Sequence, residues 1–246
     1  MSIKVLAVVP ARMESSRFPG KVIHPYRGRP LIWYLLNDIK RSRRIHQVVV
    51  ATDSREVKAA LADYDVEVVM TKRHHRTGSD RANEAARKVG GDIIINIQAD
   101  NFGLKAALLD RVINSLKVRP KTEYATLGRR ITDDAELFDP NVVKLITDKK
   151  DRALWFSRYP LPYLQNLKKG GHVDQWPFIA HIGVYFFRRE ALKKFGAWPS
   201  SPLEKAESLE QTRILMHEKK IQLFRTQSQV VSVDTKEDLK KLDSIY

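Results

Sequence analysis

The chain has 246 residues, no cysteine, and 44 lysines and arginines against 29 acidic residues, for a formal net charge of +15. A chain of this length suits one domain and buries a sizeable core without disulfides or a structural metal. The missing cysteines exclude a Cys-ligated zinc, an iron–sulfur cluster, a thiol nucleophile and a disulfide framework, and they fit a reducing, cytoplasmic setting.

The opening "MSIKVLAVVPARM" holds an apolar run of strand length, "KVLAVV", without a small-residue cleavage site. Neither a signal peptide nor a membrane anchor is expected, since no run approaches the ~18 apolar residues of a spanning helix. The strand leads into "VVPARMESSRFPGK" (residues 8–21), where Arg12, Arg17 and Lys21 share one loop. Three such cations repel one another, and an anion with several charges turns that repulsion into binding. With Gly20 as its only glycine, the loop matches neither GxGxxG nor GxxxxGK[ST]. Its anion capacity rests on Arg12, Arg17, Lys21, Ser15, Ser16 and backbone N–H groups, an inventory that suits a triphosphate. A plain exposed basic loop is the alternative.

Next come a helix over 30–43 with Pro30 at its start, a strand "HQVVVAT", a helix from "SREVKAALADY", a strand "VEVVM", a helix from "SDRANEAARKV" and a strand "DIIINIQ". These strands are continuously apolar and rich in Val and Ile, as when helices cover both faces. Alternation of this kind implies an α/β fold with a mostly parallel sheet flanked by helices. After a helix over 105–118 the pattern shifts to "EYATLGRRI", "NVVKLITD", "RALWFSR" and "FIAHIGVYFFRR", which predict mixed or antiparallel strands and an excursion suited to dimerisation. Residues 160–177 read as a loop, 202–218 as one helix, "IQLFRT" and "VVSV" as strands, and 235–245 as a closing helix. No linker interrupts the chain, so 1–246 reads as a single domain.

In an open α/β sheet, ligands bind beyond the carboxyl ends of the strands. The opening loop, Thr52–Asp53, "TKRHHRTGSDR" and "QADNFG" all fall there. Asp100 follows an apolar strand, where a carboxylate costs packing but is well placed to hold a cation. Asp234 in "VSVDTKEDL" takes a similar strand-end position. Two carboxylates from distant segments, with phosphate oxygens and water, suit Mg2+. Taken alone, Asp234 reads first as a helix N-cap with Glu237 three residues on, and both roles coexist if one oxygen faces the metal. His181 interrupts an apolar strand and reads either as a hydrogen-bonded core residue or as a functional one.

"PARMESSRFPGK", "VVVATDS", "MTKRHHRTGSDR", "INIQAD", "FDPNVVKLITDKKDRALWFSRYPLPY", "HIGVYFFRR", "PLEKAESLEQTRIL" and "SVDTKEDL" stand in the order and spacing of the 3-deoxy-manno-octulosonate (Kdo) cytidylyltransferases, the CMP-Kdo synthetases. The resemblance spans nearly the whole chain. It implies a sugar-nucleotidyltransferase type of nucleotide-binding sheet, a homodimer, and a magnesium-dependent reaction of CTP with a 2-keto-3-deoxy sugar acid for lipopolysaccharide synthesis. By position, Arg12, Ser15, Arg17 and Lys21 would hold the triphosphate, and Arg73, Ser79 and Asp80 would shape the cytidine pocket. Asp100 and Asp234 would hold magnesium. Gln98, Asn101, Arg158, His181, Tyr185, Glu210 and Gln211 would line the sugar site. Lys21, Arg12, Asp100 and Asp234 would form the catalytic set.

Two departures lie on the acceptor side. "QADNF" replaces the family's usual "QGDEP", so Asn101 stands where a carboxylate is usual, and "YPLPYLQN" replaces a more charged tract. They leave open a modified octulosonate such as an amino-substituted one, or a nonulosonic acid of the sialic type. A basic nucleic-acid-binding protein is the reading from another class. The cations are spread along the chain, however, and no recognition-helix or aromatic-platform motif accompanies them.

Overall fold

The computed structural model describes residues 3–15 and 17–246. Strand β1 (Val5–Pro10) is buried along its whole length, and its side chains alternate between two cores. Val5, Ala7 and Val9 face one side of the sheet; Leu6 and Val8 face the other. That period of two, with both faces covered, is why the run is apolar throughout.

After a 3-10 turn (Lys21–Ile23) and a two-residue hairpin, β2 (Pro25–Tyr26) and β3 (Arg29–Pro30), the chain enters α1 (Leu31–Lys40). Then β4 (Gln47–Thr52), α2 (Arg55–Ala60), β5 (Glu67–Met70), α3 (Gly78–Val89) and β6 (Ile93–Ile97) complete the alternating half. Strands β6, β1, β4 and β5 lie side by side and parallel. The second half runs β7 (Asn101–Phe102), α4 (Ala106–Val118), β8 (Tyr124–Arg130), α5 (Asp134–Phe138), β9 (Lys144–Thr147), β10 (Ala153–Ser157), α6 (His172–Gln175) and β11 (Ile179–Arg188). It ends with α7 (Arg189–Ala197), α8 (Pro202–Glu207), α9 (Thr212–Met216), β12 (Ile221–Thr226), β13 (Val231–Ser232) and a 3-10 segment (Glu237–Ser244). Here the mixed pairing appears: β11 is antiparallel to β6, β8 and β9, while β12 is parallel to β8.

Three differences from the sequence reading have local causes. The helix expected over 202–218 breaks at Ser208, whose left-handed backbone (φ 53°) ends α8. The break turns Glu210 and Gln211 toward the sheet. Helix α7 was hidden because the strand reading ran through Arg189; its Ala191, Leu192 and Phe195 have helical spacing and are buried. The closing helix is 3-10, and Asp238, not Asp234, accepts the Asp234 and Thr235 amides at its start. The Asp234 side chain is thereby released from the capping expected of it.

The second half is tied to α3 through a buried arginine. Arg213 is fully enclosed, donating to Glu204 (2.8 Å), to Asp80 (3.2 Å) and to the Phe195 carbonyl (3.3 Å), with its guanidinium 4.2 Å from the Phe195 ring centroid. One side chain thus joins α9, α8, α3 and α7. Arg213→Ala leaves Glu204 and Asp80 buried without their cation, a change that costs about 3–5 kcal/mol. The expected result is a midpoint of thermal unfolding lower by roughly 10 °C. A loss under about 1 kcal/mol in chemical denaturation would mean the cluster does not hold these helices.

Candidate active site

The opening loop folds back on itself. Gly20 takes a left-handed conformation (φ 69°), its amide bonds the Met13 carbonyl (3.0 Å), and Phe18 is buried beneath. This turns Lys21 inward to 8% exposure. Its ammonium donates to the Val233 carbonyl (2.5 Å) and lies 3.8 Å from Asp100 and 3.6 Å from Asp234. Arg17 reaches Asp234 (3.0 Å) and Asn141 (2.6 Å), and Arg12 donates to the His75 carbonyl (2.6 Å). The expectation of three mutually repelling, unpartnered cations is therefore corrected. Lys21 and Arg17 are paired with carboxylates from two distant segments, which the loop sequence alone does not reveal. Ser15 is half-buried in the same loop; Ser16 lies outside the described residues.

Asp100 and Asp234 meet because β7 and β13 form a two-stranded ribbon. Asn101 pairs with Ser232, Phe102 pairs with Val231, and the Val233 amide bonds the Asp100 carbonyl (3.1 Å). Burial pushes the Asp100 carboxyl pKa up, Lys21 pulls it down and Asp234 adds to the rise. Asn101 donates to Asp100 Oδ1 (2.8 Å) and so braces that carboxylate.

The loop after β5 is clamped by Glu84. Its carboxylate accepts the Lys72 amide (3.0 Å), meets His75 Nε2 (2.5 Å) and pairs with Lys88 (2.8 Å). Burial alone would raise its pKa; these contacts outweigh burial and hold it at about 2. Arg12 thus rests on a carbonyl that Glu84 fixes, a link missed in the sequence, where the only signal is an acidic residue on the inner face of α3. Arg73 is exposed and pairs with Glu14 of the opening loop (2.6 Å). The fully enclosed Arg81, also unforeseen, joins Asp53 (2.8 Å) to Thr71 (2.6 Å) and so ties the ends of β4 and β5.

A cavity of about 540 Å³ opens beyond the sheet's edge and brings together Arg17, Gln98, Asp100, Asn101, Arg158, His181, Tyr185, Glu210, Gln211 and Asp234. Arg76 and Lys205 join its wall without having been expected. Arg12, Ser15, Lys21, Arg73, Ser79 and Asp80 are not on that wall. Ser79 and Asp80 sit within the structure: Ser79 bonds Glu210 through its amide (3.1 Å) and hydroxyl (2.9 Å), and Asp80 faces Arg213. Burial raises the Glu210 pKa, and the Ser79 amide with the Thr77 and Ser79 hydroxyls offsets part of the rise. Tyr185 donates to Gln211 (3.0 Å). Arg158 is anchored on the Glu207 carbonyl (2.8 Å) and the Pro140 carbonyl (2.8 Å).

His181 Nε2 lies 2.8 Å from the Thr126 hydroxyl, which donates to the Val184 carbonyl (2.9 Å). Nε2 must then carry the proton. Burial lowers the His181 pKa to about 3, so the ring is neutral at physiological pH.

An open α/β sheet with a cationic loop and paired carboxylates beyond its strand ends has the parts a nucleotidyltransferase needs, cations for phosphates and carboxylates for a metal ion. The chain belongs to the cytidylyltransferase family, whose model matches residues 6–221, and within it to the 3-deoxy-manno-octulosonate cytidylyltransferases. It is 41% identical to that enzyme of Bdellovibrio bacteriovorus over 99% of this chain and 98% of the relative. It is 36% identical to that of Geobacter sulfurreducens over 98% of each. The solved structure of a CMP:2-keto-3-deoxy-manno-octonic acid synthetase complexed with CTP matches with a TM-score of 0.88 and 33% identity, covering 98% of this chain and 97% of that one. An inositol-1-phosphate CTP transferase from T. maritima shares the fold at 15% identity and TM-score 0.65, over 99% of this chain and 97% of that one.

The lowered His181 pKa fixes a pH dependence. The folded state keeps the ring neutral down to about pH 3, whereas the unfolded chain takes up a proton near its ordinary value of about 6.5. Stability attributable to this group is complete above that value and falls as pH drops below it, by about 2 kcal/mol at pH 5. His181→Gln is expected to flatten the stability profile between about pH 6.5 and 4.5. Parallel profiles for the two proteins would mean the imidazole does not stay neutral in the fold.

Proposed function

We propose that the protein transfers the cytidylyl group of CTP to the 2-hydroxyl of a 3-deoxy-octulosonic acid, Kdo or a close variant. The products are the CMP-sugar and pyrophosphate, for lipopolysaccharide synthesis. The observation that carries this reading is the convergence of Lys21, Asp100 and Asp234 on one point at the edge of the acceptor cavity. The sugar hydroxyl gives up its proton to solvent as its oxygen attacks the α-phosphorus, the bond from that phosphorus to the bridging oxygen breaks, and pyrophosphate leaves with its electron pair. Arg12, which has no ion pair among the described residues, neutralises that leaving charge, with Arg17 and Lys21 shared between it and their carboxylates. Among the described residues no side chain is placed as a covalent nucleophile, which suits a transfer needing chiefly positioning and charge neutralisation.

Mg2+ fits the donor set. Asp100 and Asp234 offer hard carboxylate oxygens, and Mg2+ is commonly held by one or two carboxylates with substrate phosphates and water. Among the described residues no group of three or more His, Cys, Asp or Glu could form a closed protein cage, which agrees with a shell shared with substrate. When bound, the ion supplies charge stabilisation at the α-phosphate and lowers the pKa of the attacking hydroxyl. Lys21 holds the two carboxylates together, and Asn101 orients Asp100 by donating its amide to Oδ1, which leaves a neutral side chain on the acceptor side where a carboxylate is usual in the family.

The test is pyrophosphate release from CTP and Mg2+ across a panel of 2-keto-3-deoxy sugar acids, nonulosonic acids included. Turnover is expected with an octulosonic acid. Asp100→Asn should lower it on the order of 100-fold or more, with thermal stability held because Lys21 keeps Asp234 and the Val233 carbonyl. Arg12→Ala should weaken CTP use by roughly 10–150-fold. Asn101→Glu should reorder the sugar acids while leaving CTP affinity within about a few-fold. Full activity of Asp100→Asn, or turnover confined to nonulosonic acids, would overturn this assignment.

A homodimer is part of the proposal. The segment beyond β10 exposes Tyr159 (76%), Tyr163 (84%) and Trp176 (44%) close together in the chain, more aromatic surface than a solvent-facing loop usually carries. Among the described residues no helix is long and apolar enough to cross a membrane. Sedimentation equilibrium should give twice the 28.3 kDa chain mass. A monomer at micromolar concentration would contradict the proposal.

A further inference from the structure

A second cavity, of about 910 Å³, lies where the start of α4 meets the carboxyl ends of β8 and β12. It shares no lining residue with the acceptor cavity. Its wall carries Lys105, Arg111, Arg129, Arg130 and Arg225 and no acidic residue. Leu108 and Ile179, both buried, form an apolar part of the lining.

Two of these cations are compensated from outside the groove, Arg129 by Glu136 and Arg225 by Asp151 (2.8 Å). Lys105, Arg111 and Arg130 have no ion pair among the described residues. The groove is also braced. Arg111 donates to the Arg225 carbonyl (2.7 Å), holding α4 against the end of β12, and Arg225 is fixed by Asp151. Cations gathered on a concave wall reinforce one another's potential, unlike the same charges spread over a convex face.

We propose that this groove is a second anion site, for a soluble ligand carrying two or more linked phosphate groups. The charge count selects the class. Three uncompensated cations face one cavity, and a monocarboxylic sugar acid brings a single negative charge, whereas linked phosphates bring three or more. Four of the five cations are arginines, whose planar forks match phosphate oxygens in pairs. Arg129 also lines a cavity shared with Arg17, Asn101, His181 and Asp234, but Lys105, Arg111 and Arg130 line only the groove, and none of the three belongs to the catalytic or acceptor set.

The test is isothermal titration of inorganic tripolyphosphate into the full chain without metal. Two binding events are expected in the unaltered protein. Arg111→Ser with Arg130→Ser should weaken one of them at least about tenfold, leaving pyrophosphate release from CTP within about twofold. Arg12→Ala with Arg17→Ala should weaken the other event and depress turnover. Inorganic phosphate should bind the groove at least about tenfold more weakly than tripolyphosphate. Lys105→Ser with Arg130→Ser spares the Arg111 brace and gives the same reading should the first pair unfold. An isotherm unchanged by both groove pairs would overturn the second site. Loss of turnover in a groove pair that still melts normally would overturn its separation from catalysis. Failure of the Arg12 and Arg17 pair to alter turnover would count against the cytidylyltransfer reading and leave the groove standing.

Discussion

A lysine ammonium with little solvent access, held between two carboxylates and a backbone carbonyl, is the contact on which the site depends. Lys21 comes from the first loop, Asp100 from the turn into β7, and Asp234 and Val233 from the far end of the chain. Two carboxylates brought this close would repel one another, and burial already raises the Asp100 pKa. The ammonium offsets both penalties. It fixes the geometry of the proposed metal-binding pair without being the ligand itself, and it ties the end of the last strand to the first loop.

The acceptor side is built differently, from polar groups that satisfy one another inside the fold. Glu210 faces the cavity because Ser208 breaks the helix before it and because the Ser79 amide and hydroxyl receive its carboxylate. Asp80, next to Ser79, is held by Arg213, which also holds Glu204 of α8. The wall of the cavity and the packing of α3, α8 and α9 are therefore one network. Substitutions in it would disturb folding and acceptor binding together, while changes at Arg12 or Arg17 act on partly exposed contacts of the opening loop with His75, Asn141 and Asp234.

The large positive charge is not uniform in meaning. Part of it is neutralised within the structure, as at Lys21, Arg17, Arg81 and Arg213. Another part is concentrated on the groove beside α4, where no acidic residue lines the wall. Net charge counts these equally; only position separates a strut from a binding surface.

Much was legible in the residues themselves. Continuous Val and Ile runs alternating with amphipathic helices specify a parallel sheet covered on both faces, because burial on two sides removes the polar alternation. That pattern also places the basic loop, Asp100 and Asp234 beyond strand ends, since strand direction fixes where loops emerge. What the sequence left open depended on contacts between distant segments. The pairing of Lys21 with Asp100 and Asp234 needs the β7–β13 ribbon, and the neutral state of His181 needs the burial and the Thr126 contact that β8 and β11 supply. The inward placement of Ser79 and Asp80 needs Glu210 and Arg213, more than a hundred residues away. Local pattern determines which segments become strands and helices, because backbone propensity and apolar period act over a few residues. Whether a charge is a strut, a ligand or a solvated face is decided by what the fold brings against it.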